Sequence, residues 1–222
     1  MISVHAQRPG TASLAAFCGL TAAIILPLLP IGKWIAPGDS MRALLIREGV
    51  WWCYGAAVIA WLHFAERLPV GSIGLRRPTY KTLLFAVLGA AALVAVLVLH
   101  SVVIVPAFHL NMSAAVAVRN QILARPYWYR LLLVLRAAVV EEILFRGYMI
   151  EKVRQLTGST LLAVTVSVVA FTFVHLRGWG LVQLIPVFGG GVILALLYVW
   201  KRDLPSNMLA HFLTDGVGFL LR

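Results

Sequence analysis

Long apolar runs of roughly one bilayer's thickness, broken by short polar connectors, constrain this chain more than any other feature. A helix that crosses the hydrocarbon core needs about 20 mostly apolar residues. The sequence offers seven candidates, at 12–31, 50–64, 83–108, 131–150, 159–176, 181–200 and 206–221, the last short for a full span. Only 12% of the residues are charged, against about 25% in a soluble domain, and the mean hydropathy is +0.92. Such a chain cannot cover a water-facing surface, which all but excludes a soluble globular fold. The expected fold is all-α: a polytopic transmembrane helix bundle of about seven spans, with one short helix lying in the interface.

The net charge of +11 comes from 19 Lys and Arg against 8 Asp and Glu. In a soluble protein it would suggest nucleic acid. Here the cations fall mostly between the apolar runs, where they set topology and meet anionic lipid headgroups. The bilayer is therefore the expected partner, and nucleic acid is not. With seven spans, nine basic residues on the N-terminal side face eight on the other, so the count does not orient the chain. The Arg76, Arg77, Lys81 cluster tips it towards a cytoplasmic N-terminus. Cys18 and Cys53 lie in apolar runs and read as packed thiols rather than a disulfide. The first run follows a basic stretch ending at Arg8; Pro37 spoils the only small-residue exit, so an uncleaved helix is expected.

Polar connectors are expected at 32–47, 66–81 and 109–129. In the third, Ser113 is placed to cap a short interfacial helix that ends before Pro126. Trp51, Trp52, Tyr127, Trp128, Tyr129 and Trp200 sit at run ends, as an aromatic belt would.

An ionisable residue at membrane depth costs at least about 2.5 kcal/mol, so each is a site hypothesis by default. The candidates are Arg136, Glu141, Glu142, Arg146, His175, His211 and Asp215, with His63 and His100 nearer run ends. Glu142 and Arg146 are i and i+4 on one face, acid first, the better order for pairing. Glu141 then points about 100° away, free to face another group. A carboxylate in a dry bundle resists carrying charge and a nearby cation favours it, a competition suited to a general base. The alternative is a helix-end ion pair beside a second Glu that reaches the interface. Phe171 and His175 share a face, and so do Asn207, His211 and Asp215. His175 alone also fits an interfacial residue, and Asp215 could instead pair with Arg222. No role suggests itself for Arg136: it either snorkels to the interface or sits nearer the helix start than the run bounds place it. A membrane bundle turns polar faces inward, so the three faces are expected to converge on one cavity. A Glu, two His and an Asp or Asn there can deprotonate a water and stabilise an oxyanion, the two needs of peptide hydrolysis.

The order Glu-Glu-x-x-x-Arg (141–146), Phe-x-x-x-His (171–175) and His-x-x-x-Asp (211–215) resembles the CPBP family. These are the Abi, or CAAX-protease and bacteriocin-processing, intramembrane proteases. The resemblance covers some 90 residues, from about Leu131 to Leu221, and the loop Leu68–Pro78 also looks like the family's early loop. It implies one membrane domain, with N-terminal helices and the interfacial segment in 1–130 and the catalytic helices in 131–222. It further implies a glutamic-type endopeptidase in which Glu141 is the base, His175 helps to hold the water, and His211 and Asp215 stabilise the oxyanion. Glu142 and Arg146 would support them, with Phe171 and Asn207. Several members have Asn where this chain has Asp215; a charged Asp would repel an oxyanion, so it is protonated or orients His211 instead. The substrate would be a membrane-associated protein or peptide: a prenylated C-terminus, a leader peptide or a C-terminal sorting segment. The compact chain suggests a multi-pass protein of a prokaryotic cytoplasmic membrane.

No cofactor is expected. A second reading places zinc on Glu141, His175 and His211 as an open His₂Glu site, although His-Glu-x-x-His is absent. There is no Gly-x-Ser-x-Gly elbow, and Asp215 is the only aspartate within a span, which leaves no aspartyl pair. Two other classes stay open: a Glu/His proton-coupled transporter, and a non-catalytic immunity or scaffold protein on the same fold.

Overall fold

The computed structural model describes residues 9–221, with side chains from 13 onwards; Arg8 and the proposed Asp215 partner Arg222 lie outside the described residues. Within them every regular element is helical. The order is α1 (Pro9–Leu28), the short α2 (Ile31–Ile35), α3 (Met41–Phe64) and α4 (Tyr80–Ala107), followed by α5 (Ser113–Leu123). Then come α6 (127–157), α7 (Thr160–Trp179), α8 (Leu184–Lys201) and α9 (Leu204–Phe219).

Local chemistry sets these ends. Ser40 Oγ accepts the Ala43 N–H at 3.2 Å to open α3, and Thr79 with Thr82 forms a capping box at α4. Ser159 Oγ accepts the Leu162 N–H to open α7, directly after Gly158 has closed α6 at φ +73°, a left-handed conformation that glycine adopts at no steric cost. Pro205 occupies the first turn of α9, where its missing N–H is not needed. The cap expected from Ser113 is built differently: α5 starts there, but Asn111 Oδ1 accepts the Ser113 N–H at 2.9 Å.

Among the described residues, four helices are long and apolar enough to cross a membrane: α3, α4, α7 and α8. The apolar part of α1, Ser13–Leu28, is shorter. The seven expected spans are therefore not confirmed as a count. α6 is interrupted by its own charges, and α9 has 16 residues. These helices and their lipid-like exterior make this an integral membrane protein. Cys18 and Cys53 are free as expected, but exposed rather than packed.

α6 is the centre of the bundle. It touches α1, α3, α7, α8 and α9, while α9 also packs along α4, and α8 lies between α7 and α4. Its middle, Ala137–Met149, is wound as a π-helix, and 12 of those 13 residues are buried. Ser167 Oγ on α7 donates to the Phe145 carbonyl at 2.7 Å, and Ser206 Oγ on α9 donates to the Thr82 carbonyl at 3.2 Å. Trp61 Nε1 and Tyr54 Oη donate to the Ala15 and Leu26 carbonyls and hold α1 against α3.

The far end of α6 is a polar anchor rather than a loop. Buried Lys152 pairs with Glu66, which also accepts from Tyr148 Oη at 2.5 Å. Glu151 takes Arg154, Arg202 and Tyr198 Oη, each within 3.0 Å. Lys152, Arg154 and Arg202, expected as topology charges, are thus ion-paired within the fold.

Candidate active site

Two acidic groups leave α6 side by side and enter two separate networks. Glu142 and Arg146 are fully buried and pair at 3.0 Å across i, i+4. Glu142 Oε1 also lies 3.0 Å from His211 Nδ1, and its Oε2 accepts weakly from Asn207 Nδ2 at 3.4 Å. Asn207 is fixed more firmly by donating to the Leu194 carbonyl at 2.7 Å. The other ring nitrogen of His211, Nε2, is 3.5 Å from Asp215 Oδ2. A ring with a carboxylate at each nitrogen can donate both N–H groups and carry a positive charge. The i, i+4 stripe on α9 therefore delivers all three of its polar groups to one place.

Glu141 belongs to the second network. Its Oε1 accepts from Arg136 Nη1 at 2.5 Å. Arg136 Nε donates to Glu48 Oε2 at 2.9 Å, and Tyr129 Oη reaches Glu48 Oε1 at 3.4 Å. Glu141 Oε2 is buried, has no hydrogen-bond partner, and lies 3.8 Å from His175 Nε2. That is too far for a direct bond. His175 Nδ1 sits 2.7 Å from the Phe171 carbonyl, which can only accept, so Nδ1 carries a proton, and in the neutral ring Nε2 then offers a lone pair.

Phe171 stands between the networks. Its ring centroid is 4.6 Å from that of His175 and 6.4 Å from that of His211, and the Arg146 guanidinium stacks 4.0 Å above it. That stacking accounts for Arg146 Nε and Nη2, which have no hydrogen-bond partner. Gly191 on α8 makes room for the ring: a Cβ there would lie 3.2 Å from Phe171 Cδ1. The Gly189–Gly191 run thus serves close packing. Exposure rises across the site, from 0% at Glu142 to 18% at the His175 side chain and 29% at Asp215. The site therefore opens beside His175 and Asp215, at the end of the bundle that holds α5 and the start of α6.

All eight residues singled out in the sequence (Glu141, Glu142, Arg146, Phe171, His175, Asn207, His211 and Asp215) meet in this region. His63 and His100 do not take part in it. Three expectations need correction. Arg136 does not snorkel; it is buried between two carboxylates. Tyr129 is buried against Glu48 and is not in an aromatic belt, and Trp51 lies 5.2 Å from the Arg136 guanidinium. The polar connector expected at 32–47 already turns into α3 at Met41, which carries Glu48 inside the bundle. Glu48 is the functional candidate that the sequence reading missed. Its only signal was an acid immediately before an apolar run.

Of the residues in the zinc reading, His211 has both ring nitrogens facing carboxylates, while His175 keeps Nε2 open with Nδ1 on a carbonyl. Among the described residues, no group of three His, Cys, Asp or Glu is placed to hold a metal ion. A separate apolar crevice of about 230 Å³ between α1, α3 and α6, lined by Ala22, Tyr54, Ala57 and Leu144, holds none of these groups.

Residues 123–217 match the model of a family described as type II CAAX prenyl endopeptidase Rce1-like. The match contains every residue of the three motifs and bears out the family resemblance. No curated protein and no solved structure significantly matches the chain. The matched family is a protease family, which supports a membrane-embedded protease.

Proposed function

We propose, on the premise of that family match, that the protein is a glutamic-type intramembrane endopeptidase acting on a membrane-associated protein or peptide. One observation carries the reading: Glu141 Oε2, buried and unbonded, faces the lone pair of His175 Nε2. Both atoms are acceptors, so one water can donate a hydrogen to each and keep an oxygen lone pair for attack. Glu141 takes the proton as the water oxygen bonds to the scissile carbonyl carbon. An N–H of His211, released from the long contact to Asp215, donates to the oxyanion. When the intermediate collapses, the C–N bond breaks and Glu141 passes its proton to the leaving amine. Asp215 acts through His211, orienting its ring, and does not touch the oxyanion. Glu142 and Arg146 fix His211 and Phe171 in place. The mechanism uses no metal, and the catalytic helices fall in 131–222.

The peptide enters near the membrane plane, where the site opens. Its class is a prenylated C-terminus, a leader peptide or a C-terminal sorting segment, in a prokaryotic cytoplasmic membrane. The test compares membrane-protein termini in the encoding cell and in a chromosomal Glu141→Gln strain at matched protein levels. Specific termini are expected to vanish in the mutant, and the lost sites name the substrate. Unchanged termini would refute the protease reading and favour an immunity, scaffold or transport role.

A further inference from the structure

We infer that Arg136, held by Glu48, is a positioning residue for Glu141, an inference that rests on the catalytic role proposed for Glu141. Three observations lead there. First, Arg136 is buried between the two acids and bonds one oxygen of each. Its bond occupies Glu141 Oε1 and leaves Oε2 as the only acceptor turned to His175. A carboxylate without that anchor could rotate about its terminal torsion, which is broad and two-fold, and offer either oxygen in a range of directions.

Second, the contact depends on how α6 is wound. At 3.6 residues per turn, residues five apart are about 140° apart around the axis, and Arg136 would face away from Glu141. The π winding that begins at Ala137 brings positions five apart nearly into line, so Arg136 and Glu141 meet. The Glu142–Arg146 pair would form with either winding.

Third, Arg136 is shared. A guanidinium given wholly to Glu141 would bind its proton acceptor as a closed ion pair. Glu48 from α3, packed beside Tyr129, takes the Nε side of the same guanidinium. The three side chains together keep one net negative charge, so the guanidinium aims Glu141 without being given to it alone. The Trp51 ring lies 5.2 Å from the guanidinium and packs against it.

The test uses purified full-length protein in detergent and a synthetic peptide spanning a terminus lost in the Glu141→Gln strain. Arg136→Gln is expected to lower kcat on the order of 100-fold, the size of effect that a small misplacement of a catalytic group produces, with KM within about threefold. Arg136→Lys, which keeps a cation but not the fork, is expected to recover about a tenth or more of wild-type kcat. Glu48→Gln is expected to lower kcat about tenfold, and the double variant to be no slower than Arg136→Gln, because both act through one group. A kcat for Arg136→Gln within threefold of wild type, with Glu141→Gln silent, would overturn this inference and leave the protease reading intact. Activity in Glu141→Gln would overturn both. If Arg136→Gln does not fold, Glu48→Gln decides: unchanged kcat in that folded variant refutes the positioning role.

Discussion

Glu141 and Glu142 are neighbours in the chain, yet they are anchored in opposite ways. The Glu142–Arg146 pair is local in sequence and dry: the two residues are one turn apart and both side chains are wholly buried, with His211 and Asn207 joining from α9. The Glu141 network is assembled from afar. Glu48 comes from a helix 88 residues earlier than Arg136, and Arg136 reaches Glu141 only across a π turn. The Glu142 carboxylate is bonded through both oxygens, whereas one Glu141 oxygen is left without a bond. On the proposed mechanism one acid stays as it is and the other exchanges a proton. The contrast would then separate a structural carboxylate from a reactive one on adjacent positions of a single helix.

The widest gap between the two should appear on removing each acid. Glu142→Ala leaves Arg146 buried and unpaired, which costs roughly 3–5 kcal/mol. Chemical unfolding in detergent micelles should show that loss, and a variant as stable as wild type would remove the distinction. Glu141→Gln should unfold within about 1 kcal/mol of wild type, because Arg136 keeps Glu48. Its turnover of the identified peptide should nevertheless fall about 10²- to 10⁴-fold, the usual worth of a general base. Asp215→Asn tests the outer edge of the Glu142 network. The side chain is 29% exposed and its contact to His211 is long, so activity should stay within about tenfold. A collapse comparable to Glu141→Gln would mean that Asp215 acts directly. The smallest effect concerns metal: stringent chelation should leave peptide cleavage unchanged, and loss with recovery on added zinc would sink the metal-free mechanism.

The same contrast explains what could be read from the sequence. The all-helical membrane fold was visible because an apolar run of bilayer length has few alternatives. Glu142–Arg146, Phe171–His175 and Asn207–His211–Asp215 were visible because α-helical spacing puts each set on one face. Arg136–Glu141 was invisible for the same reason: the five-residue spacing points away in an α-helix, and nothing in the residues announces the wider winding. Glu48 was hidden by a boundary, since the helix around it starts well before its apolar run does. Tyr129 misled because an aromatic residue near a run end is as common in a belt as against a buried acid. The buried Lys152 misled because cations beside apolar runs are usually in headgroups, and its ion-pair partner Glu66 comes from another connector.

The winding of 137–149 also decides which changes in chain length the protein can absorb over its history. A π turn holds one residue more than the α turn into which it can relax. Loss of a single residue between Ala137 and Val140 therefore has a ready resting place: ordinary α-helix between the same two ends, Pro126 and Gly158. Such a deletion would leave a folded helix and an intact Glu-Glu-x-x-x-Arg text, and it would set Arg136 four residues before Glu141, still on one α-helical face. An arginine four or five positions before the first Glu of the motif can thus make the same contact, the one through α winding and the other through π.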